Sequence, residues 1–180
     1  MQCIKDLGQT VEEHTKKTVQ MQSLAKNITE SLYARVNDVC KDEFGQSFVY
    51  TDIFMGKLEL QEFVTVEKFI DGDFNKYINN TGLVCGDSTS DICKKAECLT
   101  HYSYEKSSQQ LMVLDIQGSI YTLFDPEIAS ASLCANKEFL FGAGNLTFQA
   151  MQSFIESHIC NKFCTCVGLK TLSLSSSEEK

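Results

Sequence analysis

The chain has no tryptophan and one proline, Pro126, in 180 residues. Positive charge is also short. Lys and Arg number 16 against 24 Asp and Glu, for a formal net charge of −8. A general nucleic-acid binder needs a basic face, so that class is set aside. No apolar run approaches the roughly 18 residues of a membrane span. No N-terminal stretch has the basic, apolar and small-residue order of a signal peptide. These absences lead to the expectation of a cytoplasmic protein with no membrane segment within this chain. Apolar residues make up 43%, which is ordinary for a globular domain. The length suits one core, or two small lobes sharing one.

Cysteine is plentiful, with nine residues. A secreted disulfide scaffold is one reading, and Asn27-Ile-Thr29, Asn79-Asn-Thr81 and Asn145-Leu-Thr147 are formal glycosylation sequons. Against it stand the missing signal, the odd count and a chain too long to need staples. The expectation is a reducing compartment, with Cys3, Cys40, Cys85, Cys93, Cys98, Cys134 and Cys166 as free thiols.

Along the chain, Met21, Leu24, Ala25, Ile28, Leu32 and Val36 recur at three- and four-residue steps, one apolar helical stripe starting near Val19. Gln46 to Phe54 and Phe63 to Phe69 are rich in β-branched and aromatic residues and read as strands, with a turn at Met55-Gly56-Lys57. Residues 83 to 95 read as a polar surface loop and 129 to 141 as a variable loop. Met151, Phe154, Ile155 and Ile159 give a last helical stripe. The segment after Leu169 is polar and reads as a disordered tail.

The chemistry concentrates between Leu111 and Leu169. Leu111 to Leu114 reads as a buried strand ending in Asp115-Ile116-Gln117-Gly118, and period two puts Asp115 and Gln117 on one face. Asp125 follows beside the rigid turn former Pro126. Two carboxylates and a carboxamide are hard oxygen donors that suit Mg²⁺. His158-Ile-Cys160-Asn-Lys-Phe-Cys164 is softer: two thiols one helical turn apart, with an imidazole just before them, suit zinc.

Four pieces stand in order: Asp115-Ile-Gln117-Gly118, Asp125-Pro126-Glu127-Ile128, Gly144-Asn145-Leu146-Thr147 and His158-Ile-Cys160-Asn161-Lys-Phe-Cys164. Together with Phe69 to Gly82 and Ala96 to Tyr104, they resemble the alpha-kinases, the atypical serine/threonine protein kinases. The resemblance runs from Cys3 to Leu169. Thr147 and Ala150 depart from it, standing where the family has glycines.

The resemblance implies an α+β, two-lobed, protein-kinase-like alpha-kinase fold, with an incomplete N-terminal lobe and a zinc-stabilised C-terminal lobe. Residues 1–69 would be the partial N-lobe and inter-lobe link, 70–169 the C-lobe and 170–180 the tail. The implied activity is transfer of the ATP γ-phosphate to Ser or Thr of a protein substrate, with ATP, Mg²⁺ and structural Zn²⁺ as cofactors. For ATP binding it implies Lys5 on the phosphates, Glu67 in the link beside the adenine, and Lys76 reaching towards nucleotide or substrate. Asp115 is the implied acid/base, and Gln117 and Asp125 the implied Mg²⁺ ligands, with the roles of the two aspartates open to exchange. His101 joins His158, Cys160 and Cys164 as the fourth zinc ligand, and Gly142, Gly144 and Asn145 form a loop on the substrate side. The family's glycine-rich hairpin precedes the lysine strand, where this chain begins. The alternative is therefore a catalytically inactive, zinc-stabilised interaction module with the same fold.

Overall fold

A computed structural model describes residues 9–59, 62–131, 134–135, 138–139, 141 and 147–172, without the side chains of 134, 135, 138, 139 and 147. Lys5, Gly142, Gly144, Asn145, Cys3 and the tail from 173 onward lie outside the described residues.

The backbone of the fold is α1, Val11–Val39, a 29-residue helix. It begins earlier than the apolar stripe suggests because Thr10 and Glu13 form a capping box. Thr10 Oγ1 accepts from the Glu13 amide at 3.2 Å, and Glu13 Oε2 accepts from the Thr10 amide at 2.8 Å. Two orphan N–H groups are thereby satisfied, and the helix starts at Val11, eight residues before Val19. Met21, Ala25, Ile28, Leu32 and Val36 form the buried face, as their spacing predicts. The short helix α2, Lys41–Phe44, follows.

Strands β1, Val49–Tyr50; β2, Ile53–Lys57; β3, Phe63–Glu67; and β4, Asn75–Lys76 come next. β2 and β3 form an antiparallel hairpin from Ile53↔Glu67 to Lys57↔Phe63. Met55-Gly56-Lys57 is therefore strand, not turn. Gly56 stands opposite Val64, where a Cβ would approach Val64 Cγ2 to 3.2 Å, so the glycine serves close cross-strand packing rather than a bend.

Helix α3, Asp91–Lys106, starts inside the stretch expected to be loop, because Ser90 caps it by accepting from the Cys93 amide. It is wrapped by core: Cys93, Ala96, Cys98, Leu99 and Tyr102 are all buried. Strand β5, Leu111–Leu114, packs on it through polar links as well. Thr100 Oγ1 donates to the Val113 carbonyl at 3.0 Å, and Ser103 Oγ accepts from the Val113 amide at 2.9 Å. Lys95 buries its ammonium 5.0–5.3 Å from the ring centres of Phe44, Tyr121 and Phe163, donating to the Gln46 carbonyl at 2.8 Å.

Strands β6, Gln117–Ser119; β7, Thr122–Leu123; and β8, Glu127–Ser130 follow. The first sheet runs β1-β7-β6-β4, with β1 parallel to β7 and the other pairs antiparallel; β5 pairs antiparallel with β8. Within the expected loop, β9, Cys134–Ala135, and β10, Glu138–Phe139, form a small antiparallel pair. Helices α4, Thr147–Ser157, and α5, Lys162–Cys166, complete the order. Ile159 falls between them and is exposed, so it is not part of the last apolar stripe. The core holds Met112, Leu114, Ile116, Leu123, Ile128 and Phe154, all fully buried. Among the described residues no helix is long and apolar enough to cross a membrane. Cys40, Cys85, Cys93, Cys98, Cys160, Cys164 and Cys166 are free thiols.

Candidate functional site

The strand that opens the Asp-x-Gln-Gly motif does not continue through it. β5 stops at Leu114, and Asp115 takes φ +51°, a left-handed conformation that Asp tolerates better than most L residues. Asp115 and Gln117 therefore do not alternate along one strand. Ile116, buried in the core between them, fixes the segment, and its carbonyl accepts from the Tyr77 and Ile78 amides at 2.8 and 3.2 Å. Gln117 opens β6, opposite Lys76 of β4. That register carries the Lys76 ammonium to Asp115, where Nζ lies 2.8 Å from Oδ1 in a half-buried ion pair.

Gly118 has a steric reason. At φ +159°, a Cβ there would meet the Thr122 carbonyl oxygen at 2.1 Å. Gly118→Ala is expected to destabilise the fold by about 3 kcal/mol, overpacking and backbone adjustment together, seen as a lower denaturant midpoint at unchanged slope. An unaltered midpoint would show that β6 and β7 separate freely.

Asp125 is the second acid in the left-handed region, also at φ +51°. Gln117 Nε2 donates to its carbonyl at 3.0 Å and lies 3.4 Å from its Oδ2. The motif pair, eight residues apart in sequence, is thus one contact. Burial pushes the Asp125 carboxyl up, and the negative charges of Asp115 and Glu67 add to that, with Lys76 opposing. Glu127, two residues on, is pushed up to about 7, first by burial and then by Asp125 and Asp115. Among the described residues its Oε2 is buried without a partner, as is the Tyr50 hydroxyl, which burial first and then both aspartates push up. The sequence reading missed Glu127 and Tyr50. Glu127 sits beside Asp125-Pro126 and was open to notice; Tyr50 carries no local signal.

A carboxyl whose folded pKa exceeds its ordinary 4.5 favours the folded state when protonated. Its penalty is absent below that value and grows as pH rises to about 7. Glu127→Gln is therefore expected to raise the melting temperature by about 5 °C at pH 8 without divalent cations, and to leave it unchanged at pH 4. An equal effect at both pH values would remove the electrostatic account.

Two recesses flank these groups. One of about 340 Å³ lies between α1 and the β2–β3 hairpin and reaches Asp125 and Glu127. The other, about 370 Å³, lies at the link after β3 and is lined by Glu67, Lys68, Phe69, Ile70 and Phe124. Glu67 stands at the end of β3, and its Oε2 accepts from Gln22 Nε2 of α1 at 3.0 Å.

A second constellation lies in the C-terminal half. One ligand atom from each of His101, His158, Cys160 and Cys164 lies within 4.8 Å of the others. Cys160 precedes α5 rather than riding on it, because Asn161 is the cap and accepts from the Phe163 and Cys164 amides. Convergence comes from that capped turn, not from helical spacing. Cys160 Sγ is 3.7 Å from His101 Nδ1, and Cys164 Sγ is 3.6 Å from His158 Nε2. The edge of a zinc tetrahedron with nitrogen and sulfur ligands is about 3.6 Å. Soft donors at that separation fit zinc.

Glu97, one turn before His101, holds His158 Nδ1 at 3.1 Å, leaving Nε2 to face the cluster. The Cys164 thiol is pushed down to about 3, first by the Cys98 thiol and, against burial, by His101 and His158. His158 is pushed up to about 9: burial opposes this, and Cys164 and Glu97 prevail. Glu97 and Cys98 were missed, although their spacing to His101 places all three on adjacent turns of α3.

The assembly is that of an alpha-kinase domain. The alpha-kinase domain of myosin heavy chain kinase A in complex with ADP superimposes with a TM-score of 0.73 at 23% identity, covering 89% of this chain and 61% of that one. The same domain in complex with AMP-PNP gives 0.72 at 24% identity, covering 91% and 60%. The chain belongs to the alpha-kinase family, whose sequence pattern matches residues 2–164. Eukaryotic elongation factor 2 kinase of Mus musculus is 37% identical over 116 residues, 63% of this chain and 15% of that protein. Myosin heavy chain kinase B of Dictyostelium discoideum is 30% identical over 154 residues, 86% of this chain and 19% of that protein. The chain thus spans less than a fifth of the length of these relatives.

Proposed function

We propose that this chain transfers the γ-phosphate of ATP to serine or threonine hydroxyls of a protein. The observation that carries the reading is the joined Lys76–Asp115 and Gln117–Asp125 pairs at the cleft. Phosphoryl transfer asks for position and charge neutralisation more than covalent chemistry. Asp115, in contact with the Lys76 ammonium, accepts the proton of the acceptor hydroxyl as its oxygen bonds to phosphorus and the bond to the ADP oxygen breaks. Gln117 and Asp125 would hold Mg²⁺, which when bound would supply charge neutralisation for the phosphates. The crowding of Asp115, Asp125 and Glu127 supports a cation there. In this reading the recess at Glu67, Phe69 and Phe124 takes the adenine, with the link backbone along its edge.

Zinc held by His101, His158, Cys160 and Cys164 is structural, since four protein ligands leave no open position. In this reading the N-lobe and inter-lobe link run up to residue 69, and the C-lobe follows from residue 70. Incubation with Mg²⁺ and γ-labelled ATP tests the reading. Label on serine or threonine of a mixed-residue peptide library is expected; no transfer, or transfer to tyrosine alone, sinks it.

A further inference from the structure

Helix α1 carries none of the site residues expected from the sequence, yet one of its side chains touches both halves of the cleft. Gln22 is 1% exposed. Its Nε2 lies 3.0 Å from the Thr51 carbonyl and 3.0 Å from the Thr51 hydroxyl, between β1 and β2. The same nitrogen lies 3.0 Å from Glu67 Oε2 at the link. Its Oε1 accepts the Asp125 amide proton at 3.1 Å. One carboxamide thus joins the link to the turn that aims Asp125.

We propose that Gln22 is a positioning residue that holds the Asp125 carboxylate in place for its cation and ties that placement to Glu67. The inference rests on Asp125 holding a metal–nucleotide complex. Asp125 sits in a backbone conformation that L residues adopt rarely, so its N–H needs a fixed partner to keep the turn. Gln22 supplies that partner from a rigid helix. A neutral amide also suits the surroundings. Glu67 comes from β3, Asp115 and Asp125 from the turns flanking β6 and β7, and Glu127 from β8, with Lys76 of β4 countering them. Tyr50 of β1 adds a buried hydroxyl, and on α1 itself Lys26 is paired with Asp52. A carboxylate at position 22 would keep the acceptor for Asp125 and lose the donors to Thr51 and Glu67, adding like charge.

Two variants of the whole chain test this, Gln22→Met and Gln22→Glu, each measured by Mg-ADP calorimetry and by hydrogen exchange at the Asp125 amide. Gln22→Met is expected to speed exchange at Asp125 and weaken Mg-ADP about tenfold, the usual cost of losing a group that orients a ligand. Gln22→Glu is expected to keep the Asp125 amide protected. Its affinity for Mg-ADP is expected to fall about tenfold, because a carboxylate there adds like charge and cannot donate to Thr51 or Glu67. Unchanged Asp125 exchange in Gln22→Met overturns the proposal, as does wild-type Mg-ADP affinity in Gln22→Glu. If Gln22→Met fails to fold, the affinity of Gln22→Glu decides. If wild type binds no Mg-ADP, the phosphoryl-transfer reading fails, and Asp125 exchange still decides whether Gln22 holds that turn.

Discussion

Protein with Cys164 replaced by alanine is expected to lose its zinc and to melt from α3 through α5, while wild type carries one zinc per chain. The cluster ties three segments that share little chain: α3 through His101, the turn after α4 through His158 and Cys160, and α5 through Cys164. Apparent energies of structural zinc sites are on the order of 10 kcal/mol, comparable to the stability of a whole domain. The loss does not stop at the ion. Removing the Cys164 sulfur leaves His158, whose side chain is fully buried and aligned by Glu97, facing a void, with the Cys98 thiol unpartnered. Arg35 of α1 holds the Val167 carbonyl just beyond α5, so the disturbance reaches the long helix as well. Cys160→Ala should act likewise. Cys85→Ala, at an exposed thiol outside the cluster, should leave zinc content and melting unchanged. Elemental analysis checks the first claim and circular dichroism with and without chelator the second. Protein purified without chelator that contains no zinc would sink the assignment, and so would unaltered melting after the metal is stripped. Metal affinity should also fall in acid, since the cluster must give up its protons to take the ion.

How far the sequence told this in advance depended on the kind of signal. The apolar stripe of α1 and the run Leu111 to Leu114 were legible because burial alone decides them. Three zinc-fitting residues, His158, Cys160 and Cys164, were legible as residue types in close spacing, while His101, far off in sequence, came only from the family resemblance. The geometry that joins them was not. Cys160 and Cys164 meet across the Asn161 cap, and Asp115 and Asp125 each turn through a left-handed residue that no periodicity reveals. The start of α1 was missed although Thr10-x-x-Glu13 spells a capping box, because the turn after it is polar. The turn expected at Gly56 failed for a different reason: glycine between strands answered to close packing, not to bending. Gln22 lies in α1 outside the apolar residues that mark its stripe. Its role comes wholly from three segments brought near it by the tertiary fold, and no local pattern carries that.

Asp115→Asn and Asp125→Ala are each expected to abolish phosphate transfer while leaving zinc content and melting close to wild type. The two should fail in different ways. Asp125 shares its contact with Gln117, and its burial beside Asp115 makes its charge costly unless a cation is present. Removing it should weaken Mg-ADP binding and raise the Mg²⁺ needed for any residual transfer. Asp115 is already paired with Lys76 at 2.8 Å, so the asparagine leaves the metal site standing and removes the proton acceptor. Mg-ADP affinity should stay within about threefold of wild type in Asp115→Asn, while turnover falls by about three decades, roughly 4 kcal/mol of transition-state stabilisation. The opposite pattern, with Mg²⁺ affinity lost in Asp115→Asn and kept in Asp125→Ala, would exchange the roles of the two acids within the same site. Transfer at the wild-type rate with both acids replaced would remove the site assignment altogether, even with the fold intact. The measurement that separates these cases is calorimetric Mg-ADP affinity set beside the rate of label transfer from ATP, made on the same preparations.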